Sequence, residues 1–230
     1  MKDIDFLVLE TQCLSMENKI NYYKKSQQIL DEIEKSPAKP RLLLHACCGP
    51  CSTYPLKFLC DYFDVTIFFN NSNIYPSEEY QRRLEELKKF LSYFERDFGH
   101  HVEVVEVPYD NETYMKDLEP YKDLPEGQIR CFICYEKRLD QAYEYADSHG
   151  FDYVTTVMTI SRFKNAQKLN EIGQRLSGKY KNTKYFLSDF KKAGGMEEAR
   201  QMRILYNLYN QQYCGCKYSY ENSLQKTKKL

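Results

Sequence analysis

The stretch Arg41-Leu-Leu-Leu-His-Ala-Cys-Cys-Gly-Pro-Cys51 decides how the rest of this 230-residue chain is read. A short apolar run that ends in polar and glycine punctuation predicts a buried strand of a parallel sheet. Ser52 then stands where it can cap a helix beginning near Thr53. In open α/β sheets ligands bind in the crevice beyond the carboxyl ends of the strands. Cys47, Cys48 and Cys51 are therefore delivered to the place where such a fold does chemistry. Free cysteine also packs well as a small hydrophobe. Four more cysteines in close pairs downstream, Cys131/Cys134 and Cys214/Cys216, weigh against that plain reading.

Outward from this stretch, helical and strand patterns alternate. Residues 1–40 form an N-terminal extension with one helix, from about Met16 to Lys35, ended by Pro37 and Pro40. Cys13 has no partner nearby in sequence and reads as a packing or exposed thiol. After the cysteine loop come a helix over Thr53–Tyr62, with Cys60 among its apolar residues, and a second strand over Asp64–Phe69. A polar loop to Pro76 leads into a long helix from Ser77 to Phe98, which Gly99 stops. Val102 to Val107 alternates as a third strand, and an acidic connection follows it. A helix over Tyr135–Ser148, a fourth strand over Asp152–Ile160 and a helix near Ala166–Leu176 come next. The chain closes with a short strand over Lys184–Leu187 and a last helix from Met196 to Asn210. This alternation implies right-handed βαβ units and an α/β, Rossmann-like layered fold with a mainly parallel sheet. Residues 41–220 read as one catalytic domain and residues 221–230 as a basic tail.

Charge balances at 33 basic against 33 acidic residues, so no global field draws the chain to nucleic acid or membrane. The balance hides an asymmetry. Glu95 to Glu126 holds ten acidic and three basic residues, whereas Arg162 to Arg203 holds eleven basic and four acidic. A polyanion is thus best met by the C-terminal half. No stretch is long and apolar enough to span a bilayer, and residues 1–30 carry no signal-peptide core. The expected location is the cytoplasm, where thiols stay mostly reduced and close cysteine pairs serve metal ligation or redox catalysis.

A C-x-x-C pair lets two thiolates reach one metal centre, and two pairs complete four-thiolate ligation of zinc or an iron–sulfur cluster. Seven clustered thiols exceed what one structural zinc uses, which favours a cluster plus a further redox or metal site. Cys47, Cys48, Cys131 and Cys134 supply the four ligands of a [4Fe–4S] cubane. Adjacent cysteines have Cα atoms only about 3.8 Å apart and point opposite ways in extended chain, so Cys47 and Cys48 can also serve two centres. Cys51, Cys214 and Cys216 would then complete a second site, a mononuclear iron. Alternatively, Cys214 and Cys216 form a redox-active dithiol.

The motifs His45-Ala-Cys-Cys-Gly-Pro-Cys51, Asn73-Ile-Tyr-Pro76, Glu79-Tyr80, Arg130-Cys-Phe-Ile-Cys134, Thr155-Thr156, Asp189-Phe-Lys191 and Tyr213-Cys-Gly-Cys216 occur in that order. In this the chain resembles the QueH family of epoxyqueuosine reductases, from about Arg41 to Ser219. The resemblance implies a nucleotide-hydrolase-like Rossmann fold, an iron–sulfur cluster, and the final step of queuosine synthesis, in which an epoxide on a tRNA wobble base loses its oxygen. Ser72 and Ser161-Arg162 depart from it, standing where proline-containing versions are expected.

The chemistry agrees. Turning an epoxide into an alkene takes two electrons and two protons and releases water; among side chains only a dithiol supplies electrons, so a cluster or dithiol is needed. An open-site iron can also act as a Lewis acid on the epoxide oxygen. Tyr109, Asp110, Tyr75 and Asp189 are the candidate proton donors. Asn73 and Tyr75 are candidates to grip a flipped-out base, and Arg162, Lys164, Lys191 and Lys192 to meet phosphates. The expected partners are tRNA containing epoxyqueuosine and an electron donor outside the chain. One rival reading is an ATP-dependent tRNA-modifying enzyme of the PP-loop type. It would want a Ser-Gly-Gly-x-Asp-Ser loop after the first strand, where this chain has Cys-Cys-Gly-Pro-Cys-Ser. The other is a zinc-stabilised binding module, colourless where an iron–sulfur protein is brown.

Overall fold

Leu42, Leu43 and Leu44 make up the middle of strand β1 (Arg41–His45), and none of them has exposed surface. Side chains alternate across a strand, so Leu42 and Leu44 enter one core while Leu43 enters the other. A strand buried on both faces belongs inside a sheet covered by helices on both sides. The computed structural model, which describes residues 20–227, has that arrangement.

Five parallel strands run in the order β3-β2-β1-β4-β5, with β2 at Asp64–Phe69, β3 at Glu103–Glu106, β4 at Tyr153–Thr156 and β5 at Lys184–Tyr185. Leu42 pairs with Val65 on one side and Tyr153 on the other. Helices α1 (Tyr22–Ile33), α2 (Gly49–Leu59) and α3 (Ser77–Phe98) cover one face through Leu30, Leu56, Leu87 and Phe90. After the short helix α4 (Asn111–Lys116), α5 (Ile129–Ser148) and α6 (Ala166–Ser177) cover the other through Leu139, Tyr143, Leu169 and Ile172. Helix α7 (Gly195–Leu205) returns to the first face, and α8 (Lys217–Thr227) follows the last cysteine pair. The expected α/β layered fold, with its parallel sheet and N-terminal helix, is the observed one. No helix among the described residues is long and apolar enough to cross a membrane.

Several boundaries differ from the sequence reading, and the differences matter at the site. Helix α2 starts at Gly49 with Cys48 as its N-cap residue, four residues before Thr53. Pro50 suits a first turn because its missing N–H would have no helical partner there. Gly49 suits it because a Cβ would stand 2.7 Å from the Glu86 carbonyl oxygen of α3. Ser52 is therefore inside the helix and donates its hydroxyl to the Cys48 carbonyl at 2.8 Å instead of capping. Helix α5 begins before the cysteine pair, so Cys131 and Cys134 lie on it, one turn apart. Strand β4 stops at Thr156, whose hydroxyl accepts the Met158 N–H at 3.1 Å and opens a 3₁₀ turn over Val157–Ile160. Helix α7 ends at Leu205, ahead of Asn207 at φ 46°. The stretch read as a basic tail carries the end of α8, while Lys228 and Lys229 lie outside the described residues, as do Cys13 and the helix start near Met16.

The strand order reverses at β1. The chain leaves β1 toward β2 and β3 on one side, and enters β4 and β5 on the other. This is the switch point where an open α/β sheet forms its crevice. Cys47 follows β1 there, and Ser161 follows the turn after β4.

Candidate active site

All eight described cysteines are free thiols, and seven of them fall in two groups that share the cations Arg138 and Lys164. Cys47, Cys48 and Cys51 form the tightest group, their sulfurs all within 4.8 Å of one another. No carboxylate or imidazole joins that trio among the described residues, so its donor set is all sulfur, which suits a thiophilic metal or iron–sulfur group. Gln211 reaches over it, donating Nε2–H to Cys48 Sγ at 3.0 Å and Cys51 Sγ at 3.3 Å. Hydrogen bonds from Cys48 and Cys51 hold the Cys47 thiol below the ordinary thiol range. Burial pushes Cys48 up, and the hydrogen bond with Cys47 pushes Cys51 up to about 12. The trio thus favours one thiolate with two thiols leaning on it until something more positive binds.

The second group lies behind. Cys131 Sγ accepts the Gly127 N–H at 3.2 Å, and the Tyr114 hydroxyl donates to the Cys134 carbonyl at 3.0 Å with Cys134 Sγ sharing it at 3.4 Å. Burial raises Cys131 to about 12, with the charges of Cys214, Cys134 and Cys216 also acting on it. Cys131, Cys134, Cys214 and Cys216 therefore lie within electrostatic reach of one another, although the loop bearing the last two is some eighty residues further along the sequence. Arg130 fixes the approach to α5 by donating to the carbonyls of Tyr121, Lys122 and Leu124 at 3.2, 2.6 and 2.6 Å.

Three hydrogen bonds to backbone carbonyls tie down the Tyr213-Cys214-Gly215-Cys216 turn. Arg83 donates to the carbonyls of Cys214 and Tyr213, each at 3.1 Å, and the Tyr75 N–H donates to the Gly215 carbonyl at 2.8 Å. Arg83 is 1% exposed and is neutralised by Glu79 at 2.7 Å, one turn earlier on α3. Gly215 has φ 125°, and a Cβ there would meet Arg83 Nη1 at 2.9 Å.

In front of the thiols opens a cleft of about 1110 Å³, lined by Cys47, Cys51 and Cys214 among its thiols. Arg162, Lys164, Arg200 and Arg203 line it too, beside Phe163, which is 70% exposed. Burial works against the Lys164 ammonium, but the negative charge of Cys214, Cys47 and Cys51 outweighs it and holds the pKa above the ordinary lysine value.

Other residues singled out from sequence lie elsewhere. Asp110 caps α4, accepting the Thr113 N–H at 3.0 Å, and that bond lowers its pKa. Tyr109 donates its hydroxyl to the Ile74 carbonyl at 2.7 Å. Tyr75 packs on Tyr220, with ring centroids 5.8 Å apart, and Asn73 is buried. Asp189 is buried beside Lys191, 3.5 Å away. The Lys191 ammonium donates inward to the Thr159 carbonyl at 3.0 Å, and Lys192 is exposed. None of these seven lines the cleft. Sequence reasoning missed Gln211, Arg83 and Arg138; only the i, i+4 spacing of Glu79 and Arg83 gave a usable signal.

Comparisons with known proteins point to one family. The family described as "Epoxyqueuosine reductase QueH" matches residues 42–222. A curated epoxyqueuosine reductase QueH of Staphylococcus aureus is 42% identical over 200 residues, covering 86% of this chain and 83% of the relative. The Streptococcus pyogenes protein of the same name is 40% identical over 201 residues (87% and 78%), and that of Haemophilus influenzae 34% identical over 196 (85% and 78%).

Proposed function

The chain belongs to the QueH family of epoxyqueuosine reductases, and from that premise we propose a division of labour among its clustered cysteines. The enzyme is an oxidoreductase of the last step of queuosine biosynthesis. The substrate we assign is tRNA containing epoxyqueuosine, reduced with electrons from a donor outside the chain. The PP-loop alternative lapses with the family.

In this reading Cys47 and Cys48, at the end of β1, and Cys131 and Cys134, in the first turns of α5, hold a [4Fe–4S] cluster. Two features support the set. Hydrogen bonds from Gly127 and Tyr114 reach the sulfurs of Cys131 and Cys134, which favours ligating thiolates, and both cysteine pairs share the buried cation Arg138. When bound, the cluster supplies one-electron transfer to the site.

The chain's own groups do the rest. Cys214 faces the cleft and Cys216 sits behind it in a reduced pair. Two thiols carry two electrons and two protons. As the pair closes to a disulfide, the epoxide loses both C–O bonds, its oxygen leaves as water, and the alkene remains. The outside donor then reopens the disulfide. Lys164 keeps its proton beside Cys214 and is placed to stabilise the oxygen as negative charge develops on it. Arg162 and Arg203 are the phosphate-binding groups at the rim, whereas Arg200 beside them is already paired with Glu197 at 2.7 Å. Helix α8 brings Ser219, Asn222 and Gln225 to the same cleft, so the catalytic unit we assign runs past residue 220. A second reading, in which Cys51, Cys214 and Cys216 bind a mononuclear iron, draws on Cys51 and Cys214 lining the cleft together.

The observation that carries the proposal is the all-sulfur trio opening onto a cleft that Cys214 also lines. The test is anaerobic purification followed by iron and sulfide analysis and an assay on tRNA containing epoxyqueuosine. A brown, iron- and sulfide-bearing protein that forms queuosine is expected. A colourless zinc protein would overturn the cluster.

A further inference from the structure

Three arginines among the described residues are almost wholly enclosed, and they are compensated differently: Arg130 by the three backbone carbonyls it donates to. Arg83 has a carboxylate at 2.7 Å and two backbone carbonyls at 3.1 Å. Arg138 is 2% exposed and has no carboxylate partner among the described residues. Its Nε donates only to the Cys134 carbonyl, one turn back on α5, at a long 3.4 Å, and its Nη2 has no hydrogen-bond partner at all. A guanidinium never loses its proton in a protein, so this is a permanent positive charge shut away from water. Such a charge is strongly unfavourable unless an anion is supplied.

The groups that face it identify the anion. The thiols of Cys134, Cys47 and Cys214, with the Tyr114 hydroxyl, are the negative groups that act most strongly on Arg138, and His45 and Tyr135 also lie within reach of its charge. The three thiols come from the loop after β1, the start of α5 and the turn before α8, and Tyr114 from α4. Lys164 approaches two of these sulfurs, Cys47 and Cys214, from the cleft, where water also reaches it, whereas Arg138 stands on the core side. One buried cation thus serves thiols from three separate segments.

We propose that Arg138 is a positioning residue whose guanidinium is the built-in counter-ion of the thiolate-bound centre, setting how firmly that centre is held and the potential at which it is reduced. The inference rests on the cluster reading given above. Each thiolate ligand, and each electron added, makes the centre more negative. A fixed positive charge in a poorly polarisable surrounding stabilises the reduced form more than the oxidised one and so raises the potential. Gln211, which donates to Cys48 and Cys51, acts in the same sense with a neutral dipole.

The test uses the full chain, purified anaerobically and loaded with iron and sulfide, as wild type, Arg138→Gln and Arg138→Lys. Reduction potential is read by spectroscopically monitored titration, and retention of the centre by the rate of iron release to a chelator. Arg138→Gln should titrate at a more negative potential and release iron several-fold faster, while Arg138→Lys, which keeps the charge, should stay close to wild type in both. Wild-type values in Arg138→Gln, or equal displacement of the Gln and Lys variants, would overturn the proposal, the latter by making the residue a packing element. If Arg138→Gln fails to fold, the Lys variant decides: near-wild-type values support the counter-ion role, and a displaced potential with fast iron release refutes it. A wild-type chain that takes up no iron and sulfide would instead refute the cluster reading.

Discussion

Gly215 shows how much of this site depends on single residues. Its positive φ and its 2.9 Å clearance from Arg83 mean that any side chain strains the turn between Cys214 and Cys216. Gly215→Ala should cost about 1–3 kcal/mol of stability and lower turnover further by moving both thiols; urea denaturation and the tRNA assay measure the two effects. Among the cysteines, Cys131→Ser or Cys134→Ser should lose iron, sulfide and activity together. Cys60→Ala, which alters a core residue 3% exposed at the C-cap of α2, should keep all three. Full iron loading in both α5 variants would remove those residues from the ligand set. The seven clustered cysteines were legible in the sequence because pair spacing is a local property. Lys191 was not. Its neighbours in sequence suggest a phosphate-binding group, but where its ammonium goes depends on the Thr159 carbonyl, brought to it by the fold.

At the scale of elements, the site is held by the ends of strands and the starts of helices. The sequence showed β1, β2 and α3 because apolar runs and alternation are strong there. It placed the starts of α2 and α5 too late, and both errors left cysteines on loops that are in fact on helices. The Gly-Pro step that opens α2 resembles a turn until the close packing of Gly49 on α3 is known. Helix α3 does a second job through Arg83, which straps the Cys214 turn to the body of the fold. Arg83→Met leaves Glu79 as an unpaired buried carboxylate beside Tyr209, which donates to it at 3.1 Å. Breaking one side of a buried pair costs about 3–5 kcal/mol, so a large drop in the unfolding midpoint is expected. Glu79→Gln together with Arg83→Met should recover part of it while turnover stays low. If the double variant is as active as wild type, the strap is not needed for catalysis.

For the whole molecule, a net charge of zero conceals a basic rim around the cleft that is offset by the acidic stretch Glu95–Glu126. The sequence located that rim only to a half of the chain, because which lysines and arginines share a cleft is settled by α7 returning beside the turn after β4. Replacing Arg162 and Arg203, both in the cleft wall, with Gln should weaken tRNA binding broadly and reduce the slope of log affinity against log salt by about one for each phosphate no longer neutralised. Lys191→Gln should leave that slope unchanged and lower stability instead. The division of labour among the thiols is tested most directly on one preparation of the Cys214→Ser, Cys216→Ser double variant, with iron, sulfide and turnover measured together under anaerobic conditions. We expect wild-type iron and sulfide content with no conversion of epoxyqueuosine in tRNA; loss of the cluster, or turnover that persists without the pair, would contradict it.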